Sequence, residues 1–225
     1  MMRDLPAVGL VAVIAGAGLW VSNLAYDRGI PHYVSRKIGH AAGGLSFLAA
    51  FMFLSSVWSM VLAAAFGAIL YSAHWLRPNA FRGVGGTGRS STAMAEIWFV
   101  WVAVPVTFVS WYWLHRPEIA VASLLFMAWG DGVTGLVRAR IYHRPVKGWW
   151  GSLAMLFVCL ALSFAFIHPF WVGATASVLA VAAEYLCGDS GSIRWADDNL
   201  AVPLVAMTAM LLSMLVSGNL TLEAP

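Results

Sequence analysis

The chain has 225 residues, of which 61% are hydrophobic and only 10% charged, with a formal net charge of +3. A soluble globular domain carries roughly 25% charged residues, so that class is excluded, and no basic tract suggests a nucleic-acid partner. Several apolar runs approach the ~20 residues that cross a ~30 Å hydrocarbon core at 1.5 Å per residue.

In chain order the pattern predicts eight spans, with seven possible if one is lost. They cover about Leu5–Tyr26, Ile38–Ser55, Val57–Trp75, Met94–Leu114, Glu118–Val137, Gly151–Pro169, Trp171–Cys187 and Leu200–Ser217. The first is too long for the apolar part of a signal peptide, and no convincing cleavage site precedes Asp27 and Arg28, so it is read as a retained helix. Pro105 interrupts the fourth span, where packing neighbours must satisfy the freed carbonyl. Trp58, Trp75, Trp98, Trp111, Trp113, Trp149, Trp150 and Trp171 fall near predicted ends, as an interfacial belt requires. Cys159 and Cys187 lie in apolar runs and read as buried small hydrophobes. The fold class is therefore all-α: one polytopic membrane bundle over residues 1–225, with oligomerisation possible.

Lys and Arg set the orientation. The loops after the odd-numbered spans hold Arg28, Arg36, Lys37, Arg77, Arg82, Arg89, Arg138, Arg140, Arg144, Lys147 and Arg194, eleven of the thirteen basic residues. The other side holds Arg3 and Arg116. The positive-inside rule makes the odd loops cytoplasmic and both termini extracytoplasmic. His40, Glu96, Asp131, Glu184, Asp197 and Asp198 then fall on the same cytoplasmic side. Carboxylates near membrane depth are costly and mark functional sites.

Arg36, Lys37 and His40 share one helical face, a set suited to polyphosphate contacts and proton transfer, or to snorkelling cations beside a satisfied histidine. Asp131 stands between Gly130 and Gly132 at the end of span five, where the glycines serve either a ligand's approach or helix packing. Its carboxylate suits Mg²⁺, which takes one or two protein carboxylates plus phosphate oxygens. Gly151 and Ser152, near Lys147, are expected to present backbone amides and a hydroxyl at a helix N-terminus, a natural anion site. One of Asp197 and Asp198 can cap the last span, and with Glu184 and Asn199 they form a second candidate metal or phosphate cluster. The loop Arg82–Thr92 is glycine-rich and basic, either a flap over a nucleotide or a linker, and Glu96 follows it. The remaining histidines have no spacing that reads as a zinc site.

Taken in order, Arg36-Lys37-x-x-His40, Gly130-Asp131 with Gly135, Lys147-x-x-x-Gly151-Ser152, Glu184, and Asp197-Asp198-Asn199 with Pro203 resemble the dolichol kinase, phytol kinase and CTP-dependent diacylglycerol kinase family. The resemblance covers about residues 35–205. It implies a multi-pass enzyme that phosphorylates the hydroxyl of a lipid alcohol (dolichol, polyprenol, phytol or diacylglycerol) from a nucleoside triphosphate, typically CTP, with a divalent metal such as Mg²⁺. His40 or Asp131 is the candidate catalytic base, and the sequence does not choose between them. Arg36, Lys37, Lys147, Gly151, Ser152 and Asn199 would hold the nucleotide and phosphates, and Asp131, Asp197, Asp198 and Glu184 the metal. The chain departs from the family string Lys-Ser-x-Glu-Gly-Ser, having Lys147-Gly-Trp-Trp-Gly151-Ser152. A CDP-lipid synthase is an alternative, although its C-terminal signature is absent. A transporter would be expected to hold its charges near the midplane between repeats, and a non-catalytic membrane protein would need none of the acids.

Overall fold

The computed structural model describes residues 4–77, 80–85, 94–143, 146–188, 191–193 and 195–219. Among these, eight helical rods run back and forth: α1 Leu5–Asp27, α2 His32–Phe53, α3 Ser56–Leu76, α4 Ala95–Trp113, α5 Pro117–Tyr142, α6 Trp149–Phe166, α7 Phe170–Leu186 and α8 Asp198–Val216. Six of them are long and apolar enough to cross a membrane. Of the others, α2 carries Arg36, Lys37 and His40, and α7 is short. No β-strand occurs among the described residues; a lone bridge joins Cys187 to Ile193.

The bundle is organised around α5, whose first half is buried from Ile119 to Ala128. It packs against α2, α4, α6 and α8. Large side chains point outward instead, with Phe157 at 76% and Phe164 at 75% exposure on α6. That distribution suits a bundle whose solvent is hydrocarbon. Trp75, Trp98, Trp113, Trp149, Trp150 and Trp171 are exposed close to helix ends, as the belt predicts.

Two rods are not plain α-helices. In α4, Pro105 cannot donate to the Trp101 carbonyl, the α-segment Ala95–Trp101 ends, and Thr107–Trp113 continues as π-helix. In α5, Phe126–Asp131 is also π-helical. The wider turns rotate the downstream residues relative to a regular helix, and such bulges recur at functional sites. Asp131 is the last residue of this segment.

Two span boundaries differ from expectation. α2 starts at His32, six residues before the expected Ile38, because Pro31 occupies the N-cap and its fixed φ admits a helix immediately after it. His40 therefore lies two turns inside the rod, not on its first turn. α5 runs on to Tyr142, so Asp131 sits about 16 Å from that helix end, at 1.5 Å per residue, rather than at the terminus. Polar residues after Asp131 hid this extension: Thr134 is bonded back to Asp131 in the same rod and Arg138 to Glu184 on α7.

Candidate active site

Two ion clusters lie at one end of the bundle, where even-numbered rods begin and odd-numbered rods end. In the first, Lys37 Nζ donates to Asp131 Oδ2 at 2.7 Å, and His40 Nδ1 lies 3.4 Å from the same oxygen. Thr134 Oγ1 donates to Asp131 Oδ1 at 3.0 Å. Asp131 is 5% exposed and His40 6%. The Arg-Lys pair is thus not simply snorkelling, because Lys37 reaches inward to a buried carboxylate.

Two of the three glycines around Asp131, Gly130 and Gly135, act in packing. A Cβ on Gly130 would lie 2.9 Å from Cys159 Sγ, so its bareness admits α6. Gly132 has open space, with His40 Cβ no nearer than 4.0 Å. Gly135 leaves the channel through which the Lys37 stem passes.

The second cluster centres on Glu184, which is fully buried. Arg138 Nη1 and Nη2 donate to its two oxygens at 3.0 and 2.9 Å, a bidentate pair. Lys147 Nζ is 3.4 Å from Glu184 Oε1 and 3.7 Å from Asp198 Oδ2. The same ammonium donates to the carbonyls of Glu184 and Cys187, where a cation favours the negative end of α7. Gly188 (φ +84°) turns the chain beyond α7, and a Cβ there would lie 3.0 Å from Asp198 Oδ2.

Arg138 escaped the sequence reading, which counted it only as a loop cation. Asp131, Thr134 and Arg138 stand at i, i+3 and i+7, the spacing of one helical face, and that was the available signal. The stripe joins the two clusters over about 10 Å of helix rise.

Other expected residues stand differently. α6 begins at Trp149, so the Gly151 amide donates to the Gly148 carbonyl at 3.1 Å and the Ser152 amide approaches it at 3.4 Å. The expected pair of free amides is corrected: these two are engaged within the first turn. Gly151 instead makes room for Arg138, whose Nε would lie 2.6 Å from a Cβ at that position. Ser152 Oγ, Arg138 Nε and Asn199 Oδ1 are buried without a hydrogen-bond partner among the described residues. Asn199 Nδ2 donates to the Ala95 carbonyl at 3.2 Å, tying α8 to α4. Asp197 is the N-cap of α8, its Oδ1 accepting from the Asn199 amide at 2.9 Å.

Among the described residues, no three His, Cys, Asp or Glu side chains gather as a metal cage. Glu184 is committed to cations and Asp197 to its cap. Asp198, with 16% of its side chain exposed, has among the described residues an ion contact with Lys147 at 3.7 Å. Such a donor set fits a Mg²⁺ ion that draws most of its ligands from phosphate and water, and does not fit an all-protein cage.

Beside His40 opens an almost wholly apolar groove bounded by α1 to α5. Arg36, His40 and Glu96 stand at its polar end. Glu96 Oε1 is 3.0 Å from His74 Nδ1, which links α4 to the end of α3. Part of the glycine-rich loop covers the same end. The Gly83 amide donates to Asn23 Oδ1 at 2.8 Å, Ser35 Oγ donates to the Gly83 carbonyl at 2.8 Å, and Val84 lines the groove. The rest of that loop, 86–93, and Asp189 and Arg194 lie outside the described residues.

No protein-family model matches the chain, and no solved structure does. Curated relatives do. The phytol kinase of Synechocystis sp. is 30% identical over 208 residues, covering 88% of this chain and 87% of the relative. Phytol kinase 1, chloroplastic, of Arabidopsis thaliana is 28% identical, covering 95% and 77%. The probable phytol kinase, chloroplastic, of Triticum aestivum is 27% identical, covering 95% and 81%. With similarity running through nearly the whole of both chains, and with the ordered strings of polar residues gathered at one end of an all-helical bundle, this chain belongs to the polyprenol and phytol kinase family.

Proposed function

We propose that this protein is a membrane lipid-alcohol kinase that transfers the terminal phosphoryl group of CTP to the hydroxyl of an isoprenoid alcohol at the cytoplasmic face. The observation that carries this reading is the position of His40. One side of it meets the Asp131 carboxylate, 3.4 Å away, and the residue also lines the apolar groove. A lipid hydroxyl held in that groove comes beside a histidine backed by a carboxylate, the arrangement of a general base.

The acceptor oxygen bonds to the terminal phosphorus as the bond from phosphorus to the bridging oxygen breaks. The hydroxyl proton passes to His40, and the nucleoside diphosphate leaves. Phosphoryl transfer needs little covalent chemistry from the protein and depends on positioning and charge compensation. Arg36 and Lys37 provide positive charge at the acceptor end, and Arg138 and Lys147 provide it along the α5 stripe. Glu184 holds the latter two cations in place. Asp131 and Asp198 stand in separate clusters, so either one, with phosphate oxygens and water as the other ligands, would hold Mg²⁺, which neutralises phosphate charge when bound. Ser152 and Asn199, with unsatisfied buried oxygens, are candidates for donor contacts. Eleven of thirteen basic residues fall in the odd-numbered loops and their flanks, which supports the cytoplasmic assignment for this face.

The test is transfer from terminally labelled CTP to phytol by purified protein with Mg²⁺, with ATP and diacylglycerol as comparison substrates. Asp131→Asn should lower the rate at least a hundredfold, about 2.7 kcal/mol of barrier, while the protein elutes as the wild type does. A wild-type rate in that variant refutes the assignment.

A further inference from the structure

The groove beside His40 has a shape that bears on how an acceptor reaches the site. Its lining on α2 extends from Arg36 to Phe51, about 22 Å at 1.5 Å per residue. That is most of a ~30 Å hydrocarbon core. Charged side chains stand only at the mouth. Deeper in, Ser46 and Ser59 donate to carbonyls of their own helices at 2.9 Å, so their hydroxyls ask nothing of an occupant. Apart from Thr107, the remaining wall is made of small, aliphatic and aromatic residues, including Phe47, Phe66 and Phe99.

The mouth is roofed. Val84 lies over it, and loop 80–85 is fastened to α1 through Asn23 and to α2 through Ser35. Gly39 admits Val84, since a Cβ at Gly39 would meet that side chain. An insoluble chain therefore does not thread in from the aqueous end. The side is different: α1 packs almost entirely on α2, while α3 packs on α4, and both α1 and α3 contribute to the groove wall. α1 and α3 share the small cluster around Val11, Ala49 and Leu54 and otherwise pack little on each other.

We propose that this groove is the acceptor site, entered sideways from the bilayer between α1 and α3 by a single-chain lipid alcohol whose hydroxyl stops at His40. The inference rests on the kinase reading and extends it to the route and to chain-length selection. Ala12 and Ala15 on α1 and Ala63 on α3 keep the passage wide. Ala63 stands eleven residues before His74, whose Glu96 contact marks the mouth, and so lies about 16 Å down the groove. A large side chain there obstructs the tail of a long acceptor and leaves the upper part for a short one.

The experiment compares kcat/KM for phytol and geraniol in wild type, Ala63→Trp and Phe164→Ala. Phe164 faces lipid on α6, away from the groove, and serves as the control. Ala63→Trp should lower the phytol-to-geraniol ratio at least about tenfold, the scale of steric discrimination in an apolar pocket, while Phe164→Ala leaves it unchanged. A ratio unmoved by Ala63→Trp overturns the groove assignment and leaves the kinase reading intact. Absence of transfer to every alcohol in the wild type overturns both. If Ala63→Trp does not fold, a phytol analogue with a photoreactive tail decides instead. Crosslinks on α1 and α3 support the proposal, and crosslinks confined to the outer face of α6 refute it.

Discussion

Among the described cations, Arg138 is the one whose removal should damage the fold most. Its guanidinium meets Glu184 at 3.0 and 2.9 Å, and Glu184 has no solvent exposure. Arg138→Ala leaves that carboxylate buried with Lys147 alone, whose ammonium is 3.4 Å from one oxygen and shared with two carbonyls and Asp198. Breaking a buried pair from one side costs about 3–5 kcal/mol. Lys147 offsets part of this, so about 3 kcal/mol is expected. For a chain of this size that lowers Tm by roughly 6–12 °C. The measurement is thermal unfolding of detergent-solubilised protein followed by tryptophan fluorescence. The double variant Arg138→Met with Glu184→Met removes both charges and should recover part of the loss, because apolar side chains of similar volume replace a buried pair at little cost while Lys147 keeps Asp198 and two carbonyls. A drop in Arg138→Ala below about 1 kcal/mol, or a double variant no more stable than the single, refutes the argument that a stranded charge dominates.

Gly151→Ala tests the same contact from the other side. Its Cβ would lie 2.6 Å from Arg138 Nε and 3.1 Å from Cγ, so the side chain must shift while its head is pinned; about 1–3 kcal/mol is expected. The penalty should vanish in an Arg138→Ala background, and equal penalties in both backgrounds would show that the crowding lies elsewhere. Burial pushes the Cys187 thiol up from its ordinary value, with nearby Asp198 and Asp197 acting in the same sense against Lys147. Its thiolate therefore becomes abundant only in alkaline solution, and maleimide labelling read by mass should be slow near pH 7 and accelerate as pH rises. Rapid stoichiometric labelling at neutral pH would contradict this.

The helical class, the eight rods and their alternation follow from sequence alone, because the hydrocarbon core demands long apolar segments and leaves a readable trace in composition. The same logic located Asp131, Lys37 and His40: ionisable groups beside apolar runs are costly and therefore conspicuous. What the sequence could not supply was the pairing. Lys37 with Asp131 and Arg138 with Glu184 join residues 94 and 46 positions apart, and only helix packing brings them together. The π-segment that ends at Asp131 has no periodicity that separates it from a regular helix, and Gly130 and Asp131 read equally well as a helix end. Glu184 illustrates the division. Its position near the end of α7 was evident from sequence, but its engagement with two cations depends on α5 and the segment before α6 meeting there. The groove was likewise invisible, because the alanines and phenylalanines that bound it are indistinguishable by type from those that face lipid. Burial cost writes charged residues into a membrane sequence as exceptions, whereas the space between rods exists only after they pack.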